Sequence, residues 1–370
     1  MPVLQRSPQH YVTKDARSLA SPADIPCMLS RSIFLIFVAT GPCISQSTFA
    51  QTLATSDATP NSQPLKIAPA PQGERLLAAQ TQTLLARSNF SPGLIDGKLG
   101  RKTKLALDHY QRAKGLDAAN LLSTHTGNSW TRAVLITNSD LELITGPIPE
   151  DWNERALLST SGYADLTELL CERGWCTPDL LQLLNPTIDI NSLAAGDEII
   201  IPDVPTRPLP QIARLEINLK EQIVLGFNSA NEHIFLTHCS IARQPEKRPR
   251  GTFHIQTIVT DPDYTFDPKD WPEITNVMSR LRIAPGPRTP VGSAWLGLDL
   301  PSYGLHGTVR PQDIGKTGSH GCFRLYNWDA TRLARAVKIG DVVEVYETTR
   351  LEAEPEINTA QRPSSPDSPR

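Results

Sequence analysis

Hydrophobic positions recur at helical spacing in the first half of the chain and alternate with polar ones in the second. Leu76, Leu77, Thr81, Leu84 and Leu85 predict one helix. Phe90-Ser91-Pro92-Gly93 breaks it, and Ile95 to Gly100 reads as a tight, glycine-dependent loop. A second helix runs from Arg101, with Leu105, Leu107 and Tyr110 at helical intervals, to a stop at Gly115. Further on, Leu166 to Leu170 suggests a helix, and Thr177-Pro178-Asp179 caps another that carries Leu180, Leu181, Leu183 and Leu184. Asn185-Pro186 ends it, and Ile199 to Pro202 reads as a closing strand whose opening partner is weak.

After the proline-rich boundary Thr206 to Pro210 the period becomes two: Ala213, Leu215, Ile217 and Leu219 alternate with polar residues. Gln222 to Phe227, His233 to Cys239, Gly251 to Val259 and Asp341 to Tyr346 read as further strands. With one clear short helix, Ala330 to Val337, residues 211–347 are expected to form a mostly-β domain. Two smaller modules precede it, a helical one over 73–135 and an α+β one over 156–203. Residues 348–370 carry Pro, Ser and Glu without apolar period and are expected to be disordered.

The N-terminal segment points to export. Ile33 to Ala39 is an apolar run far too short to span a bilayer; Arg31 precedes it and a small-residue stretch to Ala50 follows. That is the layout of a signal peptide over 1–50 cleaved before Gln51, followed by a Thr/Ser/Pro-rich linker over 51–72. The mature chain is expected to have no membrane span. Residues 1–27 fit the layout poorly, and Met28 is the better translation start. Pro42 before Cys43 argues against a lipoprotein. A net charge of −3 and a pI near 6.3 give no footprint for nucleic acid. N-terminal sequencing of the precursor is expected to begin at Met28; a peptide covering Val3 to Lys14 would overturn this.

The densest chemistry lies between Tyr303 and Leu325. His306, His320, Cys322 and Arg324 share a glycine-rich segment with Gly307, Ser319 and Gly321. A thiol is a weak nucleophile until ionised, and a nearby imidazole can take its proton. His306 lies sixteen positions before Cys322, a span a fold can close, and His320 lies two before it, on the same side of an extended segment. Gly321 permits close backbone approach, and Arg324 can grip a carboxylate with its planar fork. The residues alone leave two alternatives: a Cys239–Cys322 disulfide, or a zinc site on His306, His320 and Cys322. Cys171 and Cys176 lack further metal ligands nearby, so an exported module favours a local disulfide there.

Resemblance separates these alternatives. Gly286-Pro287, Thr289 to Gly292, Trp295 to Leu298, Tyr303 to Thr308, Ser319 to Cys322, Arg324-Leu325 and Asn327 to Asp329 resemble the L,D-transpeptidase catalytic domain of the YkuD family. The resemblance implies a β-sandwich-like domain with a few helices, and no cofactor or metal. It implies Cys322 as nucleophile and His306 as general base and acid. His320, Ser319 and Gly321 would shape the thiol loop, with Arg324, Gly307 and Tyr303 at the substrate. The substrate would be peptidoglycan stem peptides: release of D-alanine gives a thioester, and a neighbouring stem amine resolves it into a cross-link. Water or a protein amine as acceptor would make the same site a carboxypeptidase or an anchoring transferase. A non-catalytic wall-binding protein is the reading from another class.

The helical module resembles a peptidoglycan-binding domain through Gln82, Leu85, Gly93, Asp96, Gly97, Gly100, Thr103, Tyr110 and Gln111. That resemblance implies contact with glycan strands through Asp96, Gly97, Gly100, Thr103, Tyr110 and Gln111. The second module is similar to a degenerate LysM repeat. The implied compartment is the periplasm, at the cell wall.

Overall fold

The structure is a computed structural model that describes residues 73–116, 121, 129–271, 274–316, 318–319 and 321–348. The signal-peptide, linker and tail expectations lie outside these residues. The helical module opens with α1 (Glu74–Arg87) and α2 (Arg101–Lys114), the latter ended by Gly115 at φ 68°, a left-handed cap that glycine adopts without a Cβ penalty. The second module contains β1 (Thr131–Leu135), α3 (Asn138–Glu142), α5 (Leu166–Gly174), α6 (Pro178–Leu184) and β2 (Glu198–Pro202), while the intervening α4 (Trp152–Ala156) packs through Trp152 against Phe266, Val277 and Ile283. Asp165 caps α5 through Glu168 N, and Thr177 with Pro178 starts α6. β1 pairs antiparallel with β2. The strand at 131–135, grouped with the helical module on sequence, therefore belongs to the second one: it is the opening partner that β2 requires, hidden by its weak alternation.

The large domain holds β3 (Arg214–Asn218), β4 (Ile223–Phe227), β5 (His233–His238), β6 (Gly251–Thr260), β7 (Tyr264–Phe266), β8 (Leu281–Ile283), β9 (Ala294–Leu298), β10 (Gly304–His306), β11 (Phe323–Arg324), α7 (Asn327–Ala336) and β12 (Val342–Tyr346). Eight strands form one sheet in the order β11-β10-β9-β6-β12-β3-β4-β5. The long β6 serves both halves. Its first residues pair with β12 and its last with β9, and the register shifts between Ile255 and Thr257. A bulge there bends the strand and curls the sheet. Leu215, Val224 and Val343 of one half thus meet Leu296, Leu305 and Phe323 of the other in a single core closed by Ala330 and Leu333 of α7. The mostly-β expectation holds, and its two layers are the halves of one curled sheet.

Both smaller modules are packed onto this domain. All five residues of β4 are buried, as befits a strand covered on both faces. One face meets the main core; on the other, Ile223, Leu225 and Phe227 cluster with Leu84, Leu85, Phe90 and Tyr110 of the helical module. Backbone bonds from Ser91 N to Leu236 O (2.8 Å) and from Leu236 N to Asn89 O (2.9 Å) extend the contact. The second module docks through Trp175, which stacks on Trp328 of α7 at 5.6 Å; Trp328 in turn stacks on Tyr326 at 4.8 Å. Cys171 and Cys176, expected as a disulfide, are buried and unbridged. Among the described residues no helix is long and apolar enough to cross a membrane.

Phe90 is fully buried at the helical-module interface, edge-on to Tyr110 at 5.5 Å. Phe90→Ala is expected to destabilise the protein by about 3–5 kcal/mol, read as a lower urea midpoint. A shift below about 0.5 kcal/mol, the ordinary range for a surface position, would show that this interface contributes little.

Candidate active site

Two short strands assemble the site. β10 and β11 run parallel with Leu305 opposite Phe323 and His306 opposite Arg324. Leu305 and Phe323 are buried in the core. Side chains alternate along a strand, so His306 and Gly304 share the opposite face with Arg324 and, just before β11, Cys322. Trp295 of β9 lies opposite His306 in the antiparallel register, and its ring stacks on the imidazole at 5.7 Å.

The His306 tautomer follows from its hydrogen bond. Nδ1 lies 2.7 Å from the Gly307 carbonyl, and a carbonyl only accepts, so Nδ1 carries the proton and Nε2 keeps its lone pair. Burial lowers the imidazole pKa to about 4; the Gly307 bond opposes that shift and the Arg324 charge adds to it. Cys322 is half-buried and unbridged, and its thiol donates to the Ser302 carbonyl at 3.3 Å. Burial raises the thiol to about 11, while the Gly304 amide and Arg324 favour the thiolate. The resting pair is therefore a neutral thiol and a neutral imidazole. Cys239 is buried in the core as a free thiol, so the alternative disulfide is absent.

Ser319 braces the nucleophile's loop. Its hydroxyl donates to the Cys322 carbonyl and accepts from Gly321 N at 3.3 Å. Its backbone is tied to the segment after β5 through Ser319 N to Ile241 O (2.7 Å) and Arg243 N to Ser319 O (3.0 Å). The Tyr303 ring lies over Gly321, where an added Cβ would stand 3.4 Å from it, and its hydroxyl donates to Lys247 O at 3.0 Å. Arg324 is held by a backbone pair with Ser240, and burial lowers its pKa, opposed by Cys322 and Asp313. Gly307 supplies its carbonyl to His306. His320 lies outside the described residues. Among the described residues no cluster of three His, Cys, Asp or Glu is placed to hold a metal.

Sequence reasoning missed Ser302. It sits at φ 67°, an uncommon conformation for a residue with a Cβ, and contributes a carbonyl. No side-chain pattern could have revealed that role. Asn327 was visible only as part of a motif; here its amide bridges three separate segments.

The helical-module residues have mainly internal partners. Gln82 Nε2 donates to Asp96 Oδ1 (2.9 Å), Lys98 O (3.1 Å) and Thr103 Oγ1 (3.1 Å), while its Oε1 accepts from Asp96 N and Gly97 N. Tyr110 is buried against Phe90. Gly100 and Gln111 are exposed, and Gly100 lines a surface groove of about 380 Å³ with Leu99, Arg101, Lys104 and Glu221.

Comparison with known proteins assigns the large domain to a family. The YkuD family profile, described as the L,D-transpeptidase catalytic domain, matches residues 212–345, from just before β3 into β12. YkuD of Bacillus subtilis strain 168, assigned as an L,D-transpeptidase, is 30% identical over 171 residues, which cover 46% of this chain and 85% of that protein. Its Bacillus licheniformis counterpart is 27% identical over 170 residues, covering 46% and 86%. Among solved structures, an L,D-transpeptidase from Mycobacterium smegmatis aligns at 18% identity with a TM-score of 0.29, over 36% of this chain and 57% of that one. This chain therefore spans little more than half of that structure. With most of the Bacillus subtilis relative matched, and with a family profile that takes in both Cys322 and His306, the chain belongs to the YkuD family of L,D-transpeptidase catalytic domains.

Proposed function

We propose that the protein is a peptidoglycan L,D-transpeptidase that works through a Cys322 acyl-enzyme. The observation that carries this reading is the parallel β10–β11 register, which pairs His306 with Arg324, two residues after Cys322, together with an imidazole whose Nε2 is free to accept a proton. Cys322 Sγ attacks the carbonyl of the third stem residue as its proton passes to His306 Nε2. The bond to D-alanine breaks, its nitrogen takes the proton from His306, and a thioester remains. An amine from a second stem then attacks. It gives a proton to Nε2, the C–S bond breaks, the proton returns to sulfur, and an amide joins the two stems.

Because the resting thiol donates to Ser302 O, it must turn toward His306 for this step. Proton transfer is then concerted with attack rather than completed beforehand, since the imidazole at about 4 cannot by itself ionise a thiol at about 11. The Gly304 amide supports negative charge on sulfur. Ser319 and His320 shape the loop, and Arg324, Gly307 and Tyr303 form the edge that receives the substrate and its carboxylate. The two N-terminal modules hold the exported enzyme to the sacculus in the periplasm. The exposed groove beside Gly100 is the surface of the helical module suited to a polar polymer. Asp96, Gly97, Thr103, Tyr110 and Gln111 belong to the same proposed glycan-binding module, with Asp96 and Thr103 shaping the loop.

Intact mass after carbapenem treatment is expected to show one adduct, absent in Cys322→Ala; an adduct on that variant would overturn the nucleophile assignment. His306→Ala is expected to slow acylation by about 10²–10⁴-fold. Mass spectrometry of muropeptide products should reveal dimers linked between third residues, whereas tripeptide monomers alone would make the protein a carboxypeptidase.

The pH dependence tests the neutral pair. His306 Nε2 is available above about 4, and the thiol keeps its proton up to about 11. Carbapenem acylation should stay level between these limits and fall as pH drops through the His306 value. Alkylation of Cys322 by iodoacetamide should instead climb throughout the alkaline range. An alkylation plateau reached below neutral pH would reveal a preformed thiolate and contradict this account.

A further inference from the structure

We propose that Glu172, on α5 of the module preceding the catalytic domain, is a positioning residue for His306. It acts through the Asn327 amide, so that the active site is complete only when that module is docked. The inference rests on His306 being the catalytic base.

Asn327 opens α7 and is buried. Its Oδ1 accepts from Thr308 N at 3.0 Å and lies 3.3 Å from the donor Ser293 N, while its Nδ2 donates to Pro287 O at 2.9 Å and Glu172 Oε2 at 3.1 Å. An amide has two donors and two acceptor lone pairs, so every one is used. The oxygen packs against Gly292 and Gly307, and an added Cβ at either would overlap it. Gly307 is the residue whose carbonyl fixes the His306 tautomer, and Thr308 follows it. The orientation of the Asn327 amide is thereby coupled to the backbone that holds the base.

Glu172 reinforces the orientation that Pro287 O and Thr308 N also favour. As a carboxylate it only accepts, which favours Nδ2 toward the second module and Oδ1 toward Thr308. Tyr163 of the same module donates to Glu172 Oε1 at 3.1 Å and keeps the carboxyl in place. The module also grips the loop on which Pro287 lies. Ser161 N donates to Pro285 O at 2.8 Å, its hydroxyl donates to Ala284 O at 2.8 Å, and Arg288 N donates to Ser161 O at 3.1 Å. Gly286, at φ 140°, is packed so closely on the Ser161 carbonyl that a Cβ would overlap it. A module attached only as a wall anchor has no need of a carboxylate directed at the amide that supports the base.

Reversing the donor and acceptor tests the connection in the full-length protein. Asn327→Asp keeps Oδ1 for Thr308 but replaces the donor facing Glu172 and Pro287 with an oxygen. Carbapenem acylation is expected to slow by about ten- to a hundredfold, with carbapenem affinity unchanged. The His306 ring in ¹⁵N NMR should lose its uniform Nδ1–H tautomer. Glu172→Gln alone should keep both properties, because its amide oxygen can face Asn327. The double variant E172Q/N327D offers an amide donor to the new carboxylate, and should recover about threefold or more over Asn327→Asp. A folded Asn327→Asp variant with wild-type tautomer and rate would overturn the proposal, as would a double variant no better than Asn327→Asp. The NMR readout needs no substrate, so a wild-type protein without cross-linking activity would defeat the proposed reaction while leaving this test intact.

Discussion

A two-residue parallel ladder between β10 and β11 is the constraint on which the rest of the site depends. Parallel neighbours cannot be joined by a tight turn and need a long crossover. The chain supplies one in the sixteen positions that separate His306 from Cys322. The ladder is short, so its own hydrogen bonds contribute little. Its register is fixed by burying Leu305 and Phe323, which turns the imidazole and the thiol together onto the other face. A one-residue slip would send both reactive groups into the core and both apolar ones out of it.

Burial gives this site its chemistry at a cost. Burial disfavours charge on Cys322 and on His306 alike, raising the thiol and lowering the imidazole. A small set of groups partly answers that penalty: the Gly304 amide and the Arg324 charge favour the thiolate, and the Gly307 carbonyl at Nδ1 favours the imidazolium, which Arg324 opposes. Such groups are already oriented before reaction, so they need no reorganisation when charge develops.

The supporting shell extends beyond the catalytic domain. The helical module covers the outer face of β4, and the second module stacks Trp175 on α7 while presenting Glu172 to Asn327. Burial raises Glu172 to about 7 and Asp329, on α7, to about 6; hydrogen bonds from Asn327 and Tyr163 oppose the first shift, and Arg332 with Thr237 the second. Carboxyls raised in the folded state stabilise it most below their unfolded values, and that contribution is lost as pH rises through about 6 to 7. Lowered imidazoles act in the opposite sense: His306 and His238 cost stability as pH falls below their unfolded value. The two tendencies act over the same acidic-to-neutral range with opposite sign and partly offset one another.

Much of this was legible in the sequence. The period-two pattern from Ala213 to Leu219 and the continuous apolar run of β4 announced the sheet, and Thr177-Pro178 marked a helix start. The sequence by itself also named the candidate reactive set, because a cysteine, a histidine and an arginine spaced among glycines carry their chemistry in residue type. It did not determine β1, whose weak alternation becomes a strand only beside β2, nor β10 and β11, which are too short for periodicity to detect. The protonated nitrogen of His306, the acceptor of the Cys322 thiol and the bridging role of Asn327 were likewise decided by tertiary structure. Each depends on a backbone carbonyl, a backbone amide or a side chain brought in from a distant segment. Backbone groups are the same in every residue, so only the fold can say which of them faces the site.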